Sequence, residues 1–157
     1  MLVLHFQFFN NGKMYDIKTG MMELTSEQAV VLCGDDACQW VDYSAPGNIM
    51  YGCLSGLAGM PQNISWLAGG IRESLDNKSI NWEYRESVFD RPEDKAAVDF
   101  GYQLARDNPD GLTIEKFKSA LSVDVLNSLQ PPTSYPSSVP LPQQSTYPPG
   151  YFLNPAP

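Results

Sequence analysis

The side chains in this sequence best suited to chemistry are carboxylates. Two acids in different environments can divide the roles of general acid and general base, because burial raises the pKa of one of them. Asp42 lies between Trp40 and Tyr43, where aromatic walls would desolvate it, and Glu73 lies near the end of an apolar helix. Together with Asp90 they are the candidate catalytic acids, although acidic side chains are more often solvated and Asp90 also suits a helix cap.

Aromatic and amide side chains near these acids are the candidate substrate-binding residues. Asn48 follows a glycine, so it suits a turn or the cap of the next helix, or its amide orients a substrate or a catalytic acid. The complete set of candidate binding residues is Trp40, Tyr43, Asn48, Tyr51 and Trp82.

Other catalytic chemistries have little support in the sequence. The single histidine, His5, lies on the polar face of a predicted strand, and a Ser-His-Asp or Cys-His mechanism would depend on it. No zinc-ligand spacing, phosphate-binding loop or dinucleotide fingerprint occurs, so we expect neither a metal site nor a cofactor. The favoured interpretation of Cys33, Cys38 and Cys53 is three buried, reduced thiols, and the alternative is a bond between the first two.

Composition divides the chain and limits its partners. Nine of the 13 prolines lie in residues 131–157, where charged residues are absent, which predicts a compact domain over residues 1–130 and a Pro-rich extended or disordered tail over residues 131–157. The net charge of −8, with scattered basic residues, makes a nucleic-acid partner unlikely but does not exclude it. The apolar residues 2–9 lack the flanks of a signal peptide and are too short to span a membrane.

Hydropathy patterns predict an α+β fold that is mainly helical, with an N-terminal β-hairpin, four to five helices and an extended Pro-rich C-terminal tail. Residues 2–9 alternate as a strand does, Asn11-Gly12 is typical of a two-residue turn, and residues 14–18 return as the second strand. Thr25 and Gln28 form a capping box that predicts a short helix ending near Cys33.

The central region is predicted to contain three helices and one extended segment or loop. Gly52 and Gly56 in the first helix, four residues apart, indicate close packing against another backbone, and an irregular, glycine-rich loop is the alternative for this run. A second helix begins at Pro61, residues 81–86 are extended or loop, and Asp90 and Glu93 form a capping box for a third helix. The predicted core-facing stripes are Ile64, Leu67, Ala68, Ile71 and Leu75 in the second helix, and Ala97, Phe100, Gly101, Leu104 and Ala105 in the third.

After the third helix, two shorter helices are predicted. Thr113 caps the first of them, which holds Phe117 and Leu121, and residues 123–129 form the second.

Residues 40–105 resemble a bacterial toxin family, the polymorphic toxin type 44 domain. The resemblance rests on the order of several short motifs rather than on any one of them. These motifs are Trp40-Asp42-Tyr43, Gly47-Asn48, Tyr51-Gly52, Gly56 and Gly59, Ala68-Gly69, Trp82, Asp90-Pro92-Asp94 and Gly101-Tyr102. The spacing departs from the family pattern around Trp40 and Gly101, and a Pro-rich extension follows the domain.

The resemblance implies a secreted effector used in competition between bacteria. Such a domain has a cognate immunity protein, and delivery machinery or a larger carrier protein brings it into the target cell, in accord with the missing signal peptide. The residues favour a carboxylate-dependent hydrolase acting on cell-wall glycan, peptidoglycan. A nuclease toxin of the RNase type and a non-catalytic secretion adaptor or binding module are the alternatives.

Overall fold

The computed structural model describes residues 29–76, 78–80, 82–87 and 90–130. The elements in chain order are β1 (Ala29–Cys33), β2 (Cys38–Asp42), α1 (Ala45–Leu57), α2 (Gln62–Asp76), a 3₁₀ helix (Trp82–Ser87), α3 (Pro92–Asp107), α4 (Ile114–Ala120) and α5 (Val123–Ser128). The predicted class is confirmed, because the domain is mainly helical with an antiparallel two-stranded hairpin preceding the helices. The hairpin predicted over residues 2–18 and the tail 131–157 lie outside the described residues.

The helix predicted to end near Cys33 is wrong over residues 29–33, which form β1. The segment reads Ala-Val-Val-Leu-Cys, and its β-branched valines favour an extended strand. β1 pairs antiparallel with β2, and the register places Ala29 opposite Asp42 and Cys33 opposite Cys38. The facing cysteines are joined by a disulfide, so the interpretation of three reduced thiols is also wrong and its alternative holds.

Helices α1 and α3 pack backbone against backbone, and glycine makes this approach possible. A Cβ on Gly52 would lie 2.2 Å from the carbonyl oxygen of Val98, and a Cβ on Gly101 would lie 2.2 Å from that of Ile49. No side chain fits at either distance. The predicted close packing at Gly52 is therefore confirmed.

The predicted core face of α3 is also confirmed. Ala97, Phe100, Gly101, Leu104 and Ala105 are all buried. Ala97, Phe100 and Leu104 pack with residues of β1, β2, α1 and α5 in one hydrophobic core, whose fully buried members include Val41, Leu126 and Leu129.

The core-facing stripe predicted for α2 is wrong. Leu67, Ile71 and Leu75 are 47%, 49% and 70% exposed. Among the α2 residues whose burial is described, the buried ones are instead Ser65 and Gly70. Hydropathy spacing identifies an apolar face but not the side of the helix that the rest of the domain covers.

Three further predictions concern the start of α3, residues 82–87 and the start of α4, and only the last of them is confirmed. The Asp90–Glu93 capping box is wrong, because α3 begins at Pro92 after Arg91, and Asp90 accepts its hydrogen bond from the Arg91 N–H at 3.0 Å. Residues 82–87 form a 3₁₀ helix where an extended segment or loop was expected. The cap at Thr113 is confirmed, since its hydroxyl accepts from the Lys116 N–H, and the last predicted helix is α5.

Candidate functional site

The close packing of α1 on α3 brings polar residues from three elements together. Asp42 ends β2, Ser44 precedes α1, and Asn48 lies in the first turn of α1. Arg91 and Asp94 lie at the start of α3. The Asp42 N–H donates to the Leu129 carbonyl at 3.0 Å, which fixes the end of β2 against α5.

Arg91 is the centre of this cluster and contacts three carboxylates. Its Nη1 lies 3.3 Å from Oδ2 of Asp42 and 3.4 Å from Oε1 of Glu93, and its Nη2 lies 3.0 Å from Oδ2 of Asp94. Burial alone lowers the pKa of Arg91, but the attraction of Asp94, Asp42 and Glu93 outweighs it and raises that pKa. The guanidinium therefore carries its charge at every physiological pH.

Hydroxyl and amide groups complete the contacts of two of these carboxylates. The Ser44 hydroxyl and the Asn48 side-chain amide both donate to Oδ1 of Asp94. The Ser44 N–H donates to Oδ1 of Asp42 at 2.8 Å. Asp42, Ser44 and Asp94 are each at most 3% exposed, so their hydrogen bonds are made almost wholly within the protein. We call Asp42, Ser44, Asn48, Arg91, Glu93 and Asp94 the Arg91 cluster.

Glu93 differs from the other acids of the Arg91 cluster. It is only 6% exposed, and its Oε1 accepts no hydrogen bond from the residues that the structure describes, although Arg91 lies within ion-pair distance. Burial raises the pKa of Glu93, and the negative charges of Asp94 and Asp42 add to the rise, against a lowering by a backbone hydrogen bond and Arg91. The Arg91 cluster thus contains carboxyl groups in two environments, as general acid–base chemistry requires.

A second polar cluster lies between α1, α2 and α3. The Ser65 and Tyr102 hydroxyls are 2.7 Å apart, and the Tyr102 hydroxyl donates to the Met60 carbonyl at 2.9 Å. Tyr51 hydrogen-bonds to Ser65 and Ser55. Burial raises the pKa of Tyr51 most, with Tyr102 and Asp90 adding to the rise, so its phenol stays protonated at neutral pH.

Asp90 connects the two clusters. Its Oδ2 lies against Gly69, where a Cβ would approach to 2.4 Å, and its Oδ1 accepts the backbone N–H of Arg91. Asp90 thereby fixes the position of the Arg91 backbone, from which the Arg91 side chain reaches the cluster. This contact gives Gly69 of α2 a specific role, since any side chain there would displace the carboxylate.

A third polar group fixes α2 to α3 at the surface. Asp99 accepts hydrogen bonds from Gln62 at 2.7 Å and from the Trp66 indole, and it pairs with Lys95 at 2.7 Å. The Lys95 ammonium lies 3.9 Å from the centre of the Trp66 ring, within the range of a cation–π contact. An open groove of about 370 Å³ runs beside this group along α3 and α5, and none of the predicted site residues lines it.

The predicted site residues fall into separate places. Asp42 and Asn48 lie in the Arg91 cluster, and Tyr51 and Asp90 lie in the second cluster. Trp40 is half-buried on β2, Tyr43 packs on the core, and Trp82 is 67% exposed in the 3₁₀ helix. Glu73 belongs to α2, but its side chain is outside the described part of the structure.

Four residues of the Arg91 cluster are not among the predicted site residues: Ser44, Arg91, Glu93 and Asp94. In the sequence, Arg91 is one of ten scattered basic residues, Glu93 suits a helix cap, and Asp94 stands out only in the motif order of the toxin-family resemblance. Ser44 carried no signal beyond its position two residues after Asp42. The run Asp90-Arg91-Pro92-Glu93-Asp94, which holds three acids around one arginine, was the available sequence signal.

Among the described residues, no group of three or more His, Cys, Asp or Glu side chains is arranged to hold a metal ion. None of the described helices combines the length and the hydropathy that a bilayer crossing requires. No protein-family model, curated protein or solved structure matches this chain.

Proposed function

We propose that this chain is a toxin-type effector domain that hydrolyses a bacterial cell-wall glycan with the carboxyl groups of the Arg91 cluster. One observation carries the proposal: Asp42 and Glu93 lie within 3.4 Å of the same guanidinium nitrogen but in different environments. Cleavage of a glycosidic bond needs such a pair, a protonated acid for the leaving oxygen and an anionic carboxylate for the sugar or water.

Glu93 is the proton donor in this proposal. Its raised pKa favours the protonated form, and its Oε1 has no hydrogen-bond donor to give up among the described residues. Asp42, ion-paired with Arg91 and held by the Ser44 N–H, is the anionic partner. Asp42 and Glu93, which share one cation, take the place of the sequence-based candidates Glu73 and Asp90, and Asp90 positions Arg91.

Substrate reaches this pair from the side on which Arg91 is exposed. The Arg91 side chain is 25% exposed, whereas the side chains of Asp42 and Glu93 are 4% and 7% exposed. Asn48 lies in the Arg91 cluster and is half-buried, so it is placed to orient a sugar hydroxyl there. A neutral glycan suits this face better than a polyanion, because the Arg91 cluster carries more acids than bases.

The biological setting is part of the proposal. The resemblance of residues 40–105 to polymorphic toxin domains supports an effector with a cognate immunity protein and a carrier or secretion system. The disulfide between Cys33 and Cys38 supports action in an oxidising compartment, such as the periplasm in which cell-wall glycan lies.

The proposal is tested by expression in two bacterial compartments. The wild type, Asp42→Asn, Glu93→Gln and the matched control Asp99→Asn are produced in the cytoplasm and, with an added signal peptide, in the periplasm. Asp99 is an acid of the same helix that also pairs with a cation, but it lies outside the Arg91 cluster. Circular dichroism of each purified variant verifies that it is folded.

We expect lysis from the periplasm with the wild type and Asp99→Asn, and none with Asp42→Asn or Glu93→Gln. Purified peptidoglycan treated with the active proteins should release fragments with new reducing ends, detected by mass spectrometry. Killing from the cytoplasm with loss of RNA or DNA would instead assign a nuclease. Toxicity that survives both substitutions would exclude catalysis by this pair.

A non-catalytic binding module is the second candidate, and the exposed stripe of α2 favours it. Leu67, Ile71 and Leu75 form an apolar row that no other described element covers. A binding module would lose its partner when Leu67 and Ile71 become glutamine and would be unaffected by Asp42→Asn. The proposed hydrolase shows the opposite pattern in the peptidoglycan assay.

A further inference from the structure

The hairpin that supplies Asp42 to the Arg91 cluster is closed at its far end by a disulfide. Cys33 and Cys38 are register partners at the turn, and Asp42 and Ala29 are register partners at the opposite end. Asp42 follows Cys38 by four positions along β2. The covalent bond and the candidate catalytic acid therefore belong to the same small element.

A hairpin of this size depends on outside support. Each strand has five residues, and an isolated two-stranded hairpin is marginally stable in water. Burial increases toward Asp42: the side chains of Val41 and Asp42 are buried, whereas Cys38, Gln39 and Trp40 are half-buried. The turn end is consequently the part of the hairpin that the disulfide has most effect on.

Besides the disulfide, the turn end is attached to the rest of the domain by several contacts, among them Leu32 and Ala37, which pack on the hydrophobic core. Gly34 packs against the backbone of Leu121, where a Cβ would lie 2.1 Å from the carbonyl oxygen. Lys118 and Asp35 are 3.8 Å apart, but both are about half exposed, so this ion pair contributes little. Within the described part of the chain, β1 and β2 form a two-stranded sheet, so a loosened β1 exposes one side of β2.

We propose that the Cys33–Cys38 disulfide is a redox latch that completes the Arg91 cluster only in an oxidising compartment. On oxidation, the Cys33 and Cys38 thiols give two electrons and two protons to the disulfide of a partner, which becomes a dithiol, and the Cys33–Cys38 bond forms. A dithiol reductant reverses the reaction, opening the bond and forming its own cyclic disulfide. Both sulfurs belong to half-buried residues, so a small thiol reagent reaches them.

The consequence for the site follows from burial. Asp42 is 3% exposed, and β1 lies beside it through the Ala29 pairing. When the reduced hairpin opens along its whole length, from the turn to the Ala29–Asp42 pair, water reaches Asp42 and weakens its pairing with Arg91, because charges interact less strongly in water than in the protein. The domain would then be inactive where it is made and active after delivery to an oxidising compartment. This regulation of the site rests on the proposed function, whereas the structural response of the hairpin does not.

The test compares hydrogen exchange in oxidised and dithiothreitol-reduced wild type. The Asp42 amide is the reporter, since it donates to the Leu129 carbonyl, and the Leu104 amide inside α3 is the internal reference. We expect reduction to accelerate exchange at Asp42 about tenfold or more while Leu104 changes much less. The Cys33→Ser/Cys38→Ser protein should exchange rapidly with or without reductant. Cys53→Ser, which removes the free cysteine of the described residues, should behave as the wild type does.

Unchanged exchange at Asp42 on reduction would overturn the latch. So would three titratable thiols in aerobically purified protein, where the structure requires one. Peptidoglycan digestion is measured on the same samples as a separate readout. If exchange responds to reduction but no sample digests peptidoglycan, the latch stands and the proposed hydrolase fails. If the glycan is digested equally in both redox states, the latch on the site is overturned and the hydrolase stands.

Discussion

The guanidinium of Arg91 lies 3.3 Å from Oδ2 of Asp42, although the two residues are 49 positions apart in the chain. This contact joins the end of the hairpin to the start of α3. It places a buried acid beside a cation that two further acids also contact. The stability of the domain and its proposed chemistry therefore depend on the same group.

Replacing Arg91 with methionine should strongly destabilise the domain. The substitution leaves Asp42 and Asp94 buried without their countercharge, and breaking a buried ion pair in this way costs about 3–5 kcal/mol of unfolding free energy. Urea denaturation measures this loss. Arg106→Met is the matched control on the exposed side of the same helix and should change stability by less than about 0.5 kcal/mol. Equal effects of the two substitutions would show that Arg91 does not hold the cluster together.

Glu93→Gln should raise stability at neutral pH while it removes activity. Burial raises the pKa of Glu93 above the ordinary value of 4.5, so the folded protein holds this proton more tightly than the unfolded chain does. The stabilisation that the protonated Glu93 carboxyl contributes is fully present below the pKa of Glu93 in the unfolded chain. It is lost as pH rises through the pKa of Glu93 in the folded protein. Glutamine remains neutral throughout, so we expect its melting temperature to exceed that of the wild type at pH 7 and to approach it near pH 4.

The control for this prediction is Glu115, whose pKa is shifted in the opposite direction to that of Glu93. Glu115 is exposed at the start of α4, where its own backbone N–H and Thr113 lower its pKa. Glu115→Gln should therefore not stabilise the domain at pH 7. A melting temperature of Glu93→Gln below that of the wild type at pH 7 would mean that pairing with Arg91 outweighs burial. Thermal scans of both proteins from pH 4 to pH 8 show whether burial or pairing with Arg91 dominates at Glu93.

Residue patterns predicted the parts of the fold that local chemistry determines. The core face of α3 follows from apolar spacing, and the cap at Thr113 follows from its side chain. Gly52 indicated close packing because a glycine inside a helix needs a reason. β1 was misread because a capping box at Thr25 suggested a helix, whereas pairing with Gln39, Trp40 and Val41 stabilises the strand and cannot be read from β1 alone.

The site was predictable only in part, since its members meet through tertiary packing. Asp42 and Asn48 stood out because aromatic and glycine neighbours surround them in the sequence. Arg91 and Glu93 did not, because local capping rules offered an explanation that needed no distant partner. Ser44 acquires its role from a contact with Asp94 across 50 positions, and no local pattern contains that information.

Gly52→Ala should destabilise the domain even though alanine is the better helix former. The propensity gain is about 1 kcal/mol, but the new Cβ would meet the Val98 carbonyl and force α1 away from α3, so we expect a net loss of about 1–3 kcal/mol. Gly59→Ala separates crowding from backbone strain, because its Cβ would meet no atom within 4 Å while its φ of 70° disfavours alanine. That control should lose about 1 kcal/mol. A Gly52→Ala protein as stable as the wild type would show that the helices can separate without cost.

Polar substitutions on the outer face of α2 should leave the domain stable. Leu67 and Ile71 are about half exposed, and glutamine is a good helix former, so Leu67→Gln and Ile71→Gln should each change the unfolding free energy by less than about 0.5 kcal/mol. Leu104→Ala, at a residue only 2% exposed, should cost about 2–5 kcal/mol in the same urea titration. If the α2 substitutions were as costly as Leu104→Ala, this face would be covered in solution. Stable variants that lose a partner in a pull-down would identify the face as a binding surface. Because these substitutions leave folding unchanged, the loss of the partner would come from the exposed apolar row itself.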